Sequence, residues 1–421
     1  MTDSLKKAHG NWVDGDRFFN REKEQQLILE RFREGAHILL TAQRRMGKTS
    51  LVREIKRQLT ESGEAYAIFV DLEESFTPAD AIAEISLATK EFGGVFDMVK
   101  TLFANTLKEL TDSVEKVSAG DFDITLRAGV SESNWQKKGD DLFKILSELD
   151  KPVLLAIDEL PILINRMLKG QDFKITEERR EITDKFMSWL RKNAQTHKGK
   201  VGLILSGSIG LEPVLMQAGL SANKNVFPPF ELKPWSHSTA IDCLNALANN
   251  YQITFDDGVC EKICASLGVC IPNHIQLFFN LLHESAQYME KNTISIEDVE
   301  RVYSQEMLSV HSQVELDHYE ERLKLVLGED KYTLALDLLT EVAVTGKLDK
   351  KGIEMFSAFY RTRLEEDALT VIREIIFVLE HDGYLESSSE GYIYISKLLC
   401  EWWKARYENF YTVIIERGIK K

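Results

Sequence analysis

Four continuous apolar runs punctuate the first half of the chain: residues 37–41 (HILLT), 65–72 (AYAIFVDL), 152–157 (PVLLAI) and 201–205 (VGLIL). Short apolar runs without alternation read as strands buried on both faces. Helical spacing fills the gaps at 48–59, 78–92, 95–110 and 177–194. Residues 122–126 (FDITL) alternate and predict a small strand in an inserted segment. Strands alternating with helices predict an α/β fold, a parallel sheet with helices on both faces. After about Pro234 the spacing turns helical, with helices predicted at 257–266, 274–284, 296–308 and 314–326. From Lys331 the order is three helices, two short strands around 387–391 and a closing helix, the pattern of a winged helix.

Composition fits a folded chain: of 421 residues, 44% are hydrophobic and 28% charged. Lys and Arg number 52 against 67 Asp and Glu, a net charge of −15, which disfavours coating of nucleic acid. No apolar run reaches the ~20 residues of a membrane helix, and the start, MTDSLKKAHGNW, lacks a signal-peptide core. The expected setting is cytoplasmic, with no membrane partner. Cys243, Cys260, Cys264, Cys270 and Cys400 fit no zinc spacing and are expected to be reduced thiols.

The chemistry concentrates between the first strand and the helix after it. Ala42-Gln43-Arg44-Arg45-Met46-Gly47-Lys48-Thr49 is the phosphate-loop pattern with Ala42 in place of the first glycine. Loop N–H groups and the helix N-terminus would face a β-phosphate, and Gly47 would let the backbone come close. Lys48 would bridge β- and γ-phosphate, and the Thr49 hydroxyl would ligate Mg²⁺. Downstream, the PVLLAI strand runs into Asp158-Glu159. Asp158 is the candidate for the metal's water shell and Glu159 for the base that activates water. A capping pair at a helix start is the plainer alternative. Strand 201–205 ends in Ser206-Gly207-Ser208. In AAA+-type sheets a polar group here lies beside the nucleotide, and both serines stay candidates.

Missing residues narrow the class. The LSGS of 205–208 follows the acidic pair rather than preceding it, which excludes an ABC ATPase. Asn223-Lys224-Asn225-Val226 lacks the acid and strand of a guanine site, so the expected nucleotide is ATP with Mg²⁺. No arginine stands between Arg191 and Arg301, which removes a kinase lid and the usual arginine finger. Hydrolysis is therefore expected to be slow.

Phe19-Asn20-Arg21-Glu22 with Glu24 resembles the opening of Orc/Cdc6-like and STAND-type ATPases, a segment that packs near adenine in those proteins. Arg44-Arg45-Met46-Gly47-Lys48-Thr49-Ser50-Leu51 is similar to the phosphate loop of archaeal-type members, and Gly207-Ser208-Ile209-Gly210 to their post-strand motif. Gly268-Val269-Cys270-Ile271-Pro272 resembles the lid Gly-x-Pro. His381-Asp382-Gly383-Tyr384-Leu385 with Trp402-Trp403 resembles the winged-helix tail of prokaryotic members. The resemblance implies nucleotide contacts from Arg21, Ala42, Arg44, Arg45, Met46, Gly47, Lys48, Thr49, Ser50 and Pro272. The plainer reading of His274 is a capping or core residue; the resemblance places it where relatives carry a lid arginine, and either imidazole state could sense a β-phosphate. It also implies these domains: an N-terminal arm (1–34), a P-loop ATPase core (35–232, with 93–134 inserted), a helical lid (233–300), connector helices (301–328) and a winged helix (329–421).

The winged helix offers a poor face for DNA phosphates, which weakens a DNA role without removing it. Its third helix, placed at 365–380, carries Glu365, Glu366, Asp367, Glu374 and Glu380 against Arg373 alone. Residues 330–421 hold 13 basic and 16 acidic residues. Trp402 and Trp403 are expected to split, one in the core and one half exposed. The stretch 174–200 is basic and is read first as a solvated helix, with DNA contact or a neighbouring subunit's nucleotide as alternatives; Arg179, Arg180 or Arg191 are candidates for a finger supplied to such a subunit. The expected function is a Mg²⁺-dependent ATPase switch controlling assembly or signalling, with ATP/ADP and a protein partner or self-association. The alternatives are a DNA-binding initiator or loader and a nucleotide-stabilised scaffold with little turnover.

Overall fold

The computed structural model describes residues 4–8, 12–103, 123, 126–221, 225–309, 314–364 and 366–417. It divides into two compact units. No helix among the described residues is long and apolar enough to cross a membrane.

One unit comprises Arg21–Thr41 and Lys48–Glu231. It begins with α1 (Glu22–Arg33), a helix inside what the sequence marks only as an arm. Its stripe of Ile28, Leu29 and Phe32 is buried, while the residues around it, EKEQQ with Glu30, Arg31 and Arg33, are polar enough to hide the period. Then come β1 (Ile38–Thr41), α2 (Lys48–Ser62), β2 (Tyr66–Asp71), α3 (Pro78–Ala88), α4 (Gly93–Lys100) and α5 (Trp135–Ser147). The order continues with β3 (Val153–Asp158), α6 (Leu160–Lys169), α7 (Glu177–Thr196), β4 (Val201–Leu205), α8 (Leu211–Met216) and β5 (Pro229–Glu231). Local chemistry sets the starts: α3 has a Thr77–Asp80 capping box and Pro78 in its first turn. The strands form one sheet in the order β2-β3-β4-β1-β5, every neighbouring pair parallel. All six residues of β3 are buried, as a central parallel strand requires. The ends of β3, β4 and β1 therefore lie side by side, the edge where open α/β sheets bind ligands.

One sequence expectation needs correction here, and one strand goes unannounced. Within the alternating stretch Asp123 and Leu126 are helical, not strand, as are 127–128 after it. Leu126 is fully buried, and a five-residue alternation does not separate a strand from one turn of amphipathic helix. Phe122, Ile124 and Thr125, like 104–110 of the expected 95–110 helix, lie outside the described residues. β5 has no apolar run to announce it, since it is a three-residue edge strand opening with proline.

The other unit comprises residues 1–20, 42–47 and Leu232–Lys421. A helical group holds α9 (His237–Tyr251), α10 (Val259–Leu267), α11 (Pro272–Tyr288) and α12 (Ile296–Val302), with a two-stranded parallel pair, β6 (Thr254–Phe255) and β7 (Thr293–Ile294). Leu244, Leu247, Ile263, Ile275, Phe278 and Phe279 centre its core. All five cysteines are free thiols, and burial pushes Cys243 far above its ordinary range.

The long α13 (Val314–Thr345) breaks helical geometry at Gly328. Next come α14 (Lys350–Tyr360), α15 (Ala368–His381), the antiparallel hairpin β8 (Leu385–Ser388) and β9 (Gly391–Tyr394), α16 (Lys397–Tyr407) and a short α17 (Ile414–Arg417). Three helices and a hairpin are the winged-helix arrangement. α15 starts at Ala368, with Asp367 as its N-cap on Thr370. Glu366 and Asp367 thus precede the helix, which lowers the acidity expected of it; Glu365 lies outside the described residues. The expected split of the tryptophans is also corrected, because both are fully buried. Trp403 Nε1 donates to Thr340 Oγ1 at 3.2 Å, which lets an indole sit in the core with its N–H satisfied.

Candidate functional site

Asp158 closes β3 and is 3% exposed. Both of its oxygens are taken: Thr49 Oγ1 donates to Oδ2 at 2.7 Å, and Ser206 Oγ donates to Oδ1 at 2.7 Å. One carboxylate thus joins the first turn of α2, the end of β3 and the end of β4. Parallel pairing brings them together, since Ile157 is in register with Leu205. Lys48, 8% exposed, and Ser50 are buried in the same turn of α2 as Thr49.

Glu159 follows in a left-handed conformation, φ +55°, as the N-cap of α6. A non-glycine residue held there stores on the order of 1 kcal/mol of strain. Its Oε2 accepts two bonds from Ser208, from the backbone N–H at 2.9 Å and from Oγ at 2.9 Å. The two serines, equivalent in the sequence, are therefore divided: Ser206 serves Asp158 and Ser208 serves Glu159.

The loop Ala42–Gly47 enters left-handed space at Arg45 (φ +66°) and Gly47 (φ +86°). Such left-handed steps let successive amides face one concavity, the nest that suits an anion. Met46 between them is buried. Gln43 Nε2 donates to Gly383 O at 2.9 Å, and Arg44 Nη1 donates to His318 O at 2.8 Å. The Arg45 carbonyl accepts from Asn273 N–H, in the first turn of α11, at 3.4 Å.

Pro272 is the first residue of α11. His274 beside it is buried, and its pKa is pushed down to about 3 by burial, with the Arg45 charge adding to the effect. The imidazole is neutral at pH 7, which decides between the two states left open by the sequence. Its Nδ1 has no hydrogen-bond partner among the described residues. Arg21, the left-handed N-cap of α1, is buried and donates to Glu24 at 2.8 Å. Burial works against its charge and Glu24 supports it.

The three arginines considered as fingers each have an intramolecular partner. Arg179 donates to the carbonyls of Lys169 and Lys174, Arg180 to Ala218 O, and Arg191 to Ser188 Oγ. One acid escaped the sequence reading. Asp71 ends β2 in register with Asp158, and its carboxyl is pushed up by burial, with the Asp158 charge adding to it. The signal was present, an acid closing the AYAIFVDL run, but pairing of β2 with β3 was needed to give it meaning.

No protein-family model matches the chain, and no curated protein matches it. Among solved structures, it is similar to the Walker-type ATPase PABY2304 of Pyrococcus abyssi, with a TM-score of 0.56 at 15% identity, over 96% of this chain and 100% of that one. It is also similar to the ORC2 protein of Aeropyrum pernix, solved in ADPNP-ADP complexes, with a TM-score of 0.52 at 12% identity, over 97% and 98% of the two chains. At these identities the likeness is one of fold: a parallel α/β sheet with helices, followed by helical elements over nearly the whole chain.

Proposed function

We propose that the chain is an ATP-binding, slowly ATP-hydrolysing switch of AAA+/STAND type, built from a core (35–232), a lid (233–300), a connector (301–328) and a winged helix (329–421). The observation that carries this reading is the Asp158 carboxylate joined to Thr49 and Ser206, with Glu159 next to it held by Ser208. A phosphate loop alone serves many proteins; a loop tied to an acid pair at the end of the neighbouring strand is the equipment for cleaving a phosphoanhydride.

The donor set suits Mg²⁺. Thr49 Oγ1 and the Asp158 carboxylate offer hard oxygen atoms 2.7 Å apart. No group of three or more His, Cys, Asp or Glu side chains among the described residues could hold a metal unaided. Mg²⁺ is ordinarily bound through one or two carboxylates plus the substrate's phosphates. Bound there, Mg²⁺ would neutralise charge on the phosphates. Lys48 would hold β- and γ-phosphate, Ala42, Arg44, Arg45, Met46, Gly47, Thr49 and Ser50 would cradle the chain of phosphates, and Glu159 would take a proton from the attacking water. Arg21, Pro272 and the neutral His274 would complete the nucleotide's surroundings. ATP and ADP would favour different arrangements of lid and winged helix, which a protein partner or a second copy would read.

The test is nucleotide titration of the purified chain with Mg²⁺. Wild type should bind ATP and release phosphate, and Lys48→Ala should lose binding because the cation between the phosphates is gone. ATP binding by Lys48→Ala at wild-type affinity would remove the loop from the mechanism.

A further inference from the structure

Residues 4–8 (SLKKA) form neither helix nor strand, and side chains of α9 and α11 hold their main chain. Asn250 Nδ2 donates to Leu5 O at 3.1 Å, and Lys7 N–H donates to Tyr251 Oη at 3.1 Å. Ala8 N–H donates to Gln276 Oε1 at 2.9 Å, and the Ala8 carbonyl accepts from Asn280 Nδ2 at 3.0 Å. Main-chain groups are common to all peptides, so these four bonds set position without asking for particular residues. Selection falls to two side chains. Leu5 is 7% exposed and belongs to the apolar core of the helical group. Lys7 Nζ donates to His283 Nδ1 at 3.0 Å and lies 5.1 Å from the centre of the Tyr251 ring. Burial, and after it the Lys7 charge, hold the His283 pKa below its ordinary value, so a neutral imidazole is there to accept. Lys6, between the two anchors, is half exposed and pairs with Asp16.

The face that holds this segment has the marks of a peptide receptor. Gln276, Asn280 and His283 recur at steps of four and three residues, which puts them on one side of α11. The amide of Asn280 is only half used: its Oδ1 is buried and has no hydrogen-bond partner among the described residues. A buried acceptor left open costs free energy. A peptide whose main chain satisfies both atoms of that amide gains a bond that residues 4–8 do not make. The net charge of −15 also draws basic segments towards the chain.

We infer that α9 and α11 form a peptide-binding groove, filled in cis by residues 4–8, that takes the same pattern from a partner protein. The pattern is an apolar residue, any residue, a lysine and a small residue. The chain's own segment acts as a built-in competitor, so a partner must displace it. Nucleotide binding plays no part in this inference.

A fluorescent peptide of sequence SLKKA, capped at both ends, tests it on the full chain. Leu5→Asp should expel the cis segment and bind the peptide about tenfold or more tightly than wild type, because a site that is mostly filled loses apparent affinity in proportion to its open fraction. Ala8→Pro removes the N–H that Gln276 accepts and leaves the apolar core alone, so it should act the same way if Leu5→Asp does not fold. In either background Asn280→Ala should weaken the peptide about fivefold or more, since it deletes a hydrogen bond to the main chain. The peptide SLKEA, with glutamate facing His283 and Tyr251, should not bind. Urea unfolding establishes that each variant is folded. A folded Leu5→Asp or Ala8→Pro variant that binds SLKKA no better than wild type, or that binds SLKEA equally well, overturns the groove. A wild-type dimer in solution that Leu5→Asp abolishes would overturn the choice of partner, because a second copy's residues 4–8 would then be the occupant.

Discussion

Glu159→Gln is the sharpest probe of the chemistry, because its structural cost is small. Glu159 uses one oxygen, Oε2, for both bonds from Ser208. Glutamine keeps an acceptor oxygen of the same reach, so the two bonds survive on a neutral acceptor. Exchanging a charged for a neutral acceptor weakens such bonds by about 1 kcal/mol. Loss of a negative charge at the start of α6 costs a further ~0.3–1 kcal/mol. Stability should thus fall by roughly 1–2 kcal/mol, and the bond between Thr49 and Asp158 is untouched. Turnover should fall far more, about 10²–10⁴-fold, the range for losing a positioned general base. Three measurements on one preparation separate the effects: urea unfolding, equilibrium ATP binding and steady-state phosphate release. Phosphate release within a few-fold of wild type, from folded protein that binds ATP, would refute the assignment of Glu159 as the base.

Two further outcomes follow from the same geometry. Ser208→Ala removes the Oγ bond to Glu159 and leaves the N–H bond, so kcat should drop about 5–30-fold, equivalent to ~1–2 kcal/mol, with KM for ATP little changed. An unchanged kcat would show that the backbone N–H alone positions the carboxylate. His274 gives a pH signature. Its folded pKa, about 3, lies below the ordinary 6.5, so the unfolded chain binds its proton first as pH falls, and stability is lost from pH 6.5 downward. Between pH 7 and 5 this amounts to about 2 kcal/mol, and His274→Gln should show that much less pH dependence in urea unfolding. An identical slope in wild type and variant would mean that the imidazole is not held neutral by burial.

The sequence carried the parts of this protein whose physics is local. Four strands declared themselves because a strand buried on both faces is apolar throughout, as β3 is at every position. The phosphate-loop pattern and the pair Asp158-Glu159 were legible as patterns because each sits at a fixed place on a strand or helix end. Local signals failed where they were short or diluted. The helix α1 hides a narrow apolar stripe among charges, β5 is three residues long, and a single helical turn near Leu126 resembles an alternating strand. Satisfying the buried Trp403 indole depended on Thr340, 63 positions away, offering it a hydroxyl. Which serine serves which acid, the place of Asp71 opposite Asp158, and the hold of Gly383 on Gln43 were likewise decided only in three dimensions. A strand or a loop is specified by forces acting over a few neighbouring residues, whereas a hydrogen bond between positions 340 apart exists only once the packing of everything between them has chosen where each end lies.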